Sequence, residues 1–223
     1  MPLRFSRFLP LAGIVLFMSA CVTTQPSQYD YTAFRQSAPR SILVLPPVNR
    51  SPEITATAEF LSTTTLPLAE SGYYVLPVAV TAETFRQNGV TIADDAHELP
   101  LPKLREIFGA DSALYITIER YGVSYRLIES VTEVGASARL VDLRSGTQLW
   151  DGRVYLAQSS NQNNSGNNLL SMLLNAVLHQ IINASSEQPT LRIAHAAGAQ
   201  LLYTNKARNG ILYGPHHPNY RTD

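Results

Sequence analysis

The sequence predicts an α/β fold of about five strands with flanking helices and a C-terminal helical region from about residue 169. Three observations lead to this prediction. An apolar run at residues 42–45 precedes a helix-forming segment and a second run rich in strand formers. Three later segments carry apolar residues at alternating positions, and the last quarter of the chain holds two stretches with helical spacing.

The first strand and the first helix are marked by their flanking residues. The run ILVL at residues 42–45 is closed by two prolines, which is typical of a strand buried on both faces. Ser51 is placed to cap a helix over residues 52–70, with Pro52 at the first helical position. Pro67 removes a backbone donor, so we expect it to kink or shorten this helix.

The middle of the chain continues the alternation of strands and helices. Residues 73–80 favour a strand near an edge, because Pro77 cannot donate to a central ladder. Short helices are predicted over residues 81–88 and 101–108, each ended by a glycine. The strict alternation over residues 114–118 then predicts a half-buried strand.

Two further strands form a predicted β-hairpin. They cover residues 131–143 and 147–157, and the turn DLRSG lies between them, with Gly146 able to take a positive φ. A polar segment, SSNQNNSGNN, follows as a flexible loop. The apolar helix predicted over residues 169–184 has a narrow polar stripe, and a second amphipathic helix is predicted over residues 190–203.

The N-terminus has the pattern of a bacterial lipoprotein signal. Arg4 and Arg7 precede an apolar run over residues 8–18, which is too short to span a bilayer of ~30 Å. Small residues then lead to Cys21, the only cysteine of the chain. We predict a signal peptide over residues 1–20 and lipidation of Cys21; the alternative is an ordinary cleaved signal that leaves a free thiol.

The mature chain divides into a tether and one domain. Residues 21–39 are polar with two prolines and are predicted to form a flexible tether, and residues 40–223 form a single domain. Cleavage removes two of the 17 basic residues, which leaves a net charge of −2 and no footprint for a nucleic acid. Because Val22 is not the aspartate that retains lipoproteins in the inner membrane, we expect an outer-membrane protein facing the periplasm.

Three stretches together resemble a known family: ILVLPPVNRS with the helix after it, the hairpin VDLRSGTQLW, and the terminal GILYGPHHPNY. They are similar to uncharacterised bacterial lipoproteins (domain of unknown function 799), which resemble the TolB amino-terminal domain and, more loosely, CsgG and LpoB. The resemblance implies an α/β fold with a mixed sheet and a role in envelope assemblies. It implies no catalytic residues.

No cluster of residues in the sequence indicates an enzyme, a metal or a cofactor. His216 and His217 are neighbours on a tail and point to opposite sides, so they are poorly placed to share an ion. Asp94 and Asp95 are most simply a solvated turn before a proline. A G-x-S-x-G nucleophile motif is missing from the sequence, and so is a glycine-rich phosphate loop.

The tyrosines are the best candidates for binding, since tyrosine is enriched in interfaces. Core packing is the commoner role for any one of them, and we assign an interface role only to Tyr213 and Tyr220. Leu174 and Leu178 are further interface candidates, because apolar residues surround most of the helix predicted over residues 169–184. We expect a homodimer or larger assembly; the alternative is that the sheet and the next helix cover both sides within one chain.

The function predicted from these features is a membrane-anchored, non-catalytic scaffold or accessory subunit of a CsgG-like envelope complex, with other envelope lipoproteins as partners. One alternative is an activator of a peptidoglycan synthase, which needs a long tether; about 18 residues span at most ~60 Å. The other alternative is a periplasmic hydrolase, which needs a concave site with converging polar groups.

Overall fold

The sheet has six strands. The computed structural model describes residues 29–125, 130–159, 189–203 and 209–222. The strands are β1 (Ser41–Val44), β2 (Val48–Asn49), β3 (Tyr74–Val75), β4 (Ser112–Tyr125), β5 (Ser130–Asp142) and β6 (Gln148–Ser159). Their order is β3, β1, β4, β5, β6, and β2 pairs with β4. Because β1 is parallel to β3 and β4 while β4, β5 and β6 are antiparallel, the sheet is mixed, and the predicted fold class is confirmed.

Helices cover both faces of this sheet. They are α1 (Thr32–Ser37), α2 (Ala56–Ser62), α3 (Thr65–Glu70), α4 (Val78–Gln87), α5 (Ala93–Glu98), α6 (Leu101–Phe108) and α7 (Pro189–Leu202). On one face, α2 and α7 pack over a core that includes Phe60, Leu140 and Trp150. On the other face, a smaller core around Leu43 and Leu104 lies under α4 to α6. The described part of the domain therefore has three layers.

The helix predicted over residues 52–70 is two helices. Thr63 and Thr64 lie at the break, where their hydroxyls donate to the carbonyls of the preceding turn at 2.7 and 2.8 Å. Pro67 falls in the first turn of α3, where its missing N–H would have no partner within the helix. The proline therefore causes no kink, because the helix restarts just before it.

Pro77 ends the strand β3 earlier than the sequence predicts. β3 has only two residues and lies at the edge of the sheet, as expected, but Val78 already begins α4. Pro77 is the N-cap of α4, since its fixed φ suits the residue that leads into a helix.

The predicted hairpin is confirmed. β5 and β6 pair along their length, and Gly146 in the turn has a φ of +74°. A register shift between Leu140 and Val141 leaves Leu149 as an extra residue on β6. As a result, the adjacent residues Leu149 and Trp150 are both buried.

The tether predicted over residues 21–39 is wrong for its second half. α1 lies within it, and Tyr31 and Phe34 are only 5% and 3% exposed. These rings pack into the main core, so residues 29–37 belong to the packed domain. Composition misled the prediction, because two aromatic residues at helical spacing are enough to dock one short turn.

The predicted helix over residues 169–184 and the Asn-rich loop before it lie outside the described residues. The helix predicted over residues 190–203 is present as α7. Within the part of the chain that the structure describes, no helix has both the length and the apolarity to cross a bilayer.

A candidate binding groove at the chain ends

The C-terminal segment, residues 209–222, is held on the domain by three aromatic side chains. Each donates one hydrogen bond to a main-chain carbonyl oxygen of this segment: Tyr31 to Gly210 at 2.6 Å, Tyr73 to Leu212 at 2.6 Å and Trp150 to Asn209 at 2.8 Å. All three aromatic residues are at most 5% exposed. Each buried donor and each carbonyl oxygen in these pairs therefore has a hydrogen-bond partner. These bonds give the segment a defined position although it forms neither helix nor strand.

Two glycines let the backbones of this segment and the α3–β3 turn touch. The Gly214 N–H donates to Ser71 O at 2.7 Å, and the His216 N–H donates to Gly72 O at 3.1 Å. A Cβ at position 214 would lie 2.5 Å from Gly72 O, and Gly72 itself has a φ of +92°. Only glycine fits at both positions, which explains why a glycine stands at position 214 in the terminal motif.

A groove of about 320 Å³ lies between α1 and this segment. Its apolar lining includes Phe34, Tyr73 and Leu212, and its more exposed lining includes Tyr213, Tyr220, Arg35 and Arg221. We call this the chain-end groove. Tyr213 and Tyr220, the two tyrosines singled out from the sequence, are thus brought to one cavity.

Ring contacts fix the shape of the exposed side of the groove. Tyr213 stacks on His217 with ring centroids 3.9 Å apart and an angle of 12° between the planes. The Arg221 guanidinium lies 5.1 Å from the centre of the Tyr220 ring. Both tyrosines are half-buried, which reduces the conformational freedom of their side chains. Each presents a flat amphipathic ring face to the groove.

The lining of the groove carries positive charge. Arg35 and Arg221 are cationic, and the lining residues include no aspartate or glutamate. The Arg35 guanidinium lies 5.9 Å from the Tyr31 ring. The groove is therefore suited to an apolar or aromatic group that carries carbonyl or acidic oxygens.

The histidines do not converge. His216 is exposed, whereas His217 is stacked on Tyr213 and its Nδ1 accepts a hydrogen bond from the Asn219 N–H at 3.0 Å. His195 on α7 is half-buried, and burial lowers its pKa. His179 lies outside the described residues. Among the residues that the structure places, no three metal-ligating side chains come together.

Three of the predicted site residues, Cys21, Leu174 and Leu178, lie outside the described residues. The solvated turn predicted at Asp94 and Asp95 is wrong, because both residues lie in the first turn of α5. Carboxylates are favourable there, next to the positive end of the helix dipole, and Asp94 also pairs with Arg50.

The residues that build the groove from its N-terminal side were not predicted from the sequence. Phe34 and Arg35 stand in the segment taken as a tether, and Tyr73 was taken only as a strand residue. The three-residue spacing of Tyr31 and Phe34 is the local signal from which a docked helical turn could have been predicted.

Comparisons with known proteins agree with the lipoprotein signal. A family model described as "Putative lipoprotein GNA1162-like" matches residues 29–216. A protein of Neisseria meningitidis serogroup B (strain MC58), named "Putative lipoprotein NMB1124/NMB1162", is 47% identical over 201 residues, which are 90% of this chain and 92% of that protein.

Two solved structures are also similar. The crystal structure of lipoprotein GNA1162 from Neisseria meningitidis has 51% sequence identity and a TM-score of 0.55, and it covers 66% of this chain and 100% of its own. The LpoB C-terminal domain from Salmonella enterica has 19% identity and a TM-score of 0.40, over 54% of this chain and 84% of its own. A similarity as low as the second supports no functional inference.

Proposed function

The chain belongs to the GNA1162-like lipoprotein family, and on this basis we propose that it is a non-catalytic scaffold or accessory subunit of an envelope complex of the CsgG type. In this proposal the protein is lipidated on Cys21, held in the outer membrane and faces the periplasm. It binds other envelope lipoproteins through the chain-end groove. The observation that carries the proposal is the joining of Tyr213 and Tyr220 in one groove.

The position of the groove supports this role. Tyr29, the first described residue, donates from its N–H to Asn209 Oδ1 at 3.3 Å, so the end of the chain that leads to Cys21 lies beside the C-terminal segment. Tyr29 lies eight positions after Cys21, a stretch of chain that spans at most about 28 Å. A partner in the same membrane is therefore within reach of the groove.

The short span from Cys21 to Tyr29 counts against a role as an activator of a peptidoglycan synthase. Such an activator has to reach across the periplasm, and packing of α1 on the domain leaves a tether of only half the predicted length. A hydrolase would need converging catalytic groups, and the chain-end groove offers tyrosines, arginines and apolar side chains.

We further propose that the protein is a homodimer or larger assembly, through the apolar helix that the sequence predicts over residues 169–184. Light scattering of the mature chain without lipid should give at least twice the monomer mass. Replacing Leu174 and Leu178 by Glu should give soluble monomer. A monomeric parent chain, or unfolded protein from the double variant, would contradict this part of the proposal.

The anchor is tested by Cys21→Ala. Without the thiol that accepts the lipid, we expect no palmitate labelling and loss of the protein from the outer-membrane fraction. Normal recovery of the unlabelled variant in that fraction would rule out anchoring through Cys21.

The docking role is tested by capture of partners with the lipidated protein, followed by mass spectrometry. We expect Tyr213→Ala with Tyr220→Ala to lose a partner that the parent protein retains. The matched control is Tyr155→Ala on β6, a tyrosine that is 58% exposed and does not line the groove. Equal recovery of all partners by both variants would contradict the proposed role of the groove.

A further inference from the structure

The helices that the structure describes cover only part of the outer face of the sheet, the face opposite α7. At one end of this face, Tyr115 and Val141 belong to the smaller core beneath α4 to α6. Further along the strands, Ser137 and Arg139 of β5 lie opposite Arg153 and Asp151 of β6. A hollow of about 350 Å³ lies over these residues, and its lining is mostly polar. We call it the sheet-face hollow; its volume suits a small ligand.

Two arginines of the hollow have no acidic partner among the residues that the structure describes. Arg139 and Arg153 are exposed, and neither takes part in an ion pair there. The Arg139 guanidinium lies 4.3 Å from the centre of the Tyr115 ring, which holds it over the sheet. A planar guanidinium fixed in this way can donate two parallel hydrogen bonds to an oxyanion.

Tyr115 adds a buried donor to the hollow. Its side chain lines the cavity and is only 4% exposed, and its hydroxyl has no hydrogen bond within the described residues. Burial raises the pKa of this hydroxyl, so it stays protonated and can donate. Buried hydroxyls normally have a partner, and an oxygen-rich ligand in the hollow would supply one.

The remaining groups that line the hollow leave its charge positive. Asp151 is the one carboxylate in the lining, and its Oδ1 already accepts hydrogen bonds from the Tyr29 hydroxyl at 3.1 Å and from Gln148 at 3.0 Å. His97 bonds through Nε2 to Pro46 O at 3.0 Å, so that nitrogen carries the proton. Burial lowers the pKa of His97, which makes the ring neutral at pH 7.

We infer that the sheet-face hollow binds a small polyhydroxylated carboxylate, of the kind represented by a sugar acid. Arg139 and Arg153 bind the carboxylate, while the hydroxyls of Tyr115 and Thr117 bind the oxygens of the sugar hydroxyl groups. This site is distinct from the chain-end groove and goes beyond the scaffold role. It adds a small-molecule ligand to a protein whose proposed partners are proteins.

The inference is tested by isothermal titration of the mature lipidated chain in detergent. The probes are glucuronate, glucose as its uncharged counterpart, and inorganic phosphate as a free oxyanion. We expect saturable binding of glucuronate below about 10 mM, and at least tenfold weaker binding of glucose and of phosphate. Absence of glucuronate binding, or equal binding of glucose, would overturn the inference. Phosphate binding as tight as that of glucuronate would also overturn it.

Variants locate the site. Arg139→Gln and Arg153→Gln should each weaken glucuronate binding about tenfold or more, and Tyr115→Phe should weaken it several-fold. Arg153 is exposed and makes no ion pair in the described structure, so its variant keeps the test valid if Arg139→Gln fails to fold. Arg192→Gln, at an exposed position of α7 on the opposite face of the sheet, is the control and should bind normally. Unchanged binding by Arg153→Gln would overturn the assignment.

Discussion

The Tyr73 hydroxyl donates a hydrogen bond of 2.6 Å to the carbonyl oxygen of Leu212, a residue 139 positions later in the sequence. Both residues are 4% exposed. This contact joins the turn after α3 to the C-terminal segment. It also forms part of the floor of the chain-end groove, so the groove depends on a contact between distant parts of the chain.

Tyr73→Phe should destabilise the domain by about 1–2 kcal/mol, because it leaves the buried Leu212 carbonyl without this donor. Urea denaturation followed by circular dichroism measures the change. The control is Tyr74→Phe, since Tyr74 is 60% exposed and its loss of a hydroxyl should have almost no effect. Equal stability of the two variants would mean that the Tyr73 contact does not hold the segment.

Gly72→Ala should destabilise the protein far more than Gly89→Ala. Both glycines have a positive φ, +92° and +80°, so alanine is strained by about 1–2 kcal/mol at either position. Only at Gly72 is there also a steric conflict, since a Cβ would lie 2.5 Å from the His217 nitrogen.

We expect the conflict at Gly72 to add about 1–3 kcal/mol, as overpacking does in a core. Thermal melts of the two variants supply the comparison. If they lose the same stability, the close approach of the two backbones is not present in solution.

Gly146→Val should destabilise the hairpin by about 1 kcal/mol or more, because a β-branched residue is poorly suited to a φ of +74°. A Cβ there would also lie 3.3 Å from the Leu101 side chain. Gly146→Asn should recover much of the loss, since asparagine tolerates this conformation better. A valine variant with an unchanged melting temperature would contradict the positive φ at position 146.

Asp142→Asn should reduce stability at neutral pH but not in acid. Burial raises the pKa of Asp142, but hydrogen bonds from the Ser37 hydroxyl and from the backbone N–H groups of Ser145 and Arg144 outweigh it and hold the pKa below its usual value. A lowered folded-state pKa stabilises the fold above the unfolded value of about 3.9. That stabilisation is lost as the pH falls through the folded-state pKa.

We therefore expect the variant to be about 1 kcal/mol less stable at pH 7 and the difference to shrink in acid, as the pH falls below about 3.9 and through the lowered folded-state pKa. Urea titrations at several pH values measure this. Glu106→Gln is the control, because its ion pair with Lys103 is exposed and contributes little. A difference for Asp142→Asn that does not change with pH would contradict the lowered pKa.

Periodicity and turn chemistry predicted most of the fold. The three long strands β4, β5 and β6 were predicted because their apolar residues alternate, and α6 because Gly109 marks its end. α1 was missed because its burial depends on a distant contact, the bond from Tyr31 to Gly210. Local composition carries no information about such a contact.

The candidate sites show the same limit. Tyr213 and Tyr220 could be chosen because they lie in a motif rich in glycine and proline, but the other wall of their groove comes from α1. In the sheet-face hollow, the alternation along β5 places Arg139 on the face opposite the buried residues Ala138 and Leu140. The pairing of Arg139 with Tyr115 depends on the register between β4 and β5, which the sequence does not specify.

The hydrogen bond from the Tyr29 N–H to Asn209 Oδ1 has a mechanical consequence. In the proposed anchored complex, force from the lipid on Cys21 would enter the described domain at Tyr29, and a partner in the chain-end groove would pull on the segment that starts at Asn209. Tension between membrane and partner is then carried across this short contact and the aromatic hydrogen bonds beside it. Since Trp150 belongs to β6, its hydrogen bond to Asn209 passes part of this load to the edge of the sheet.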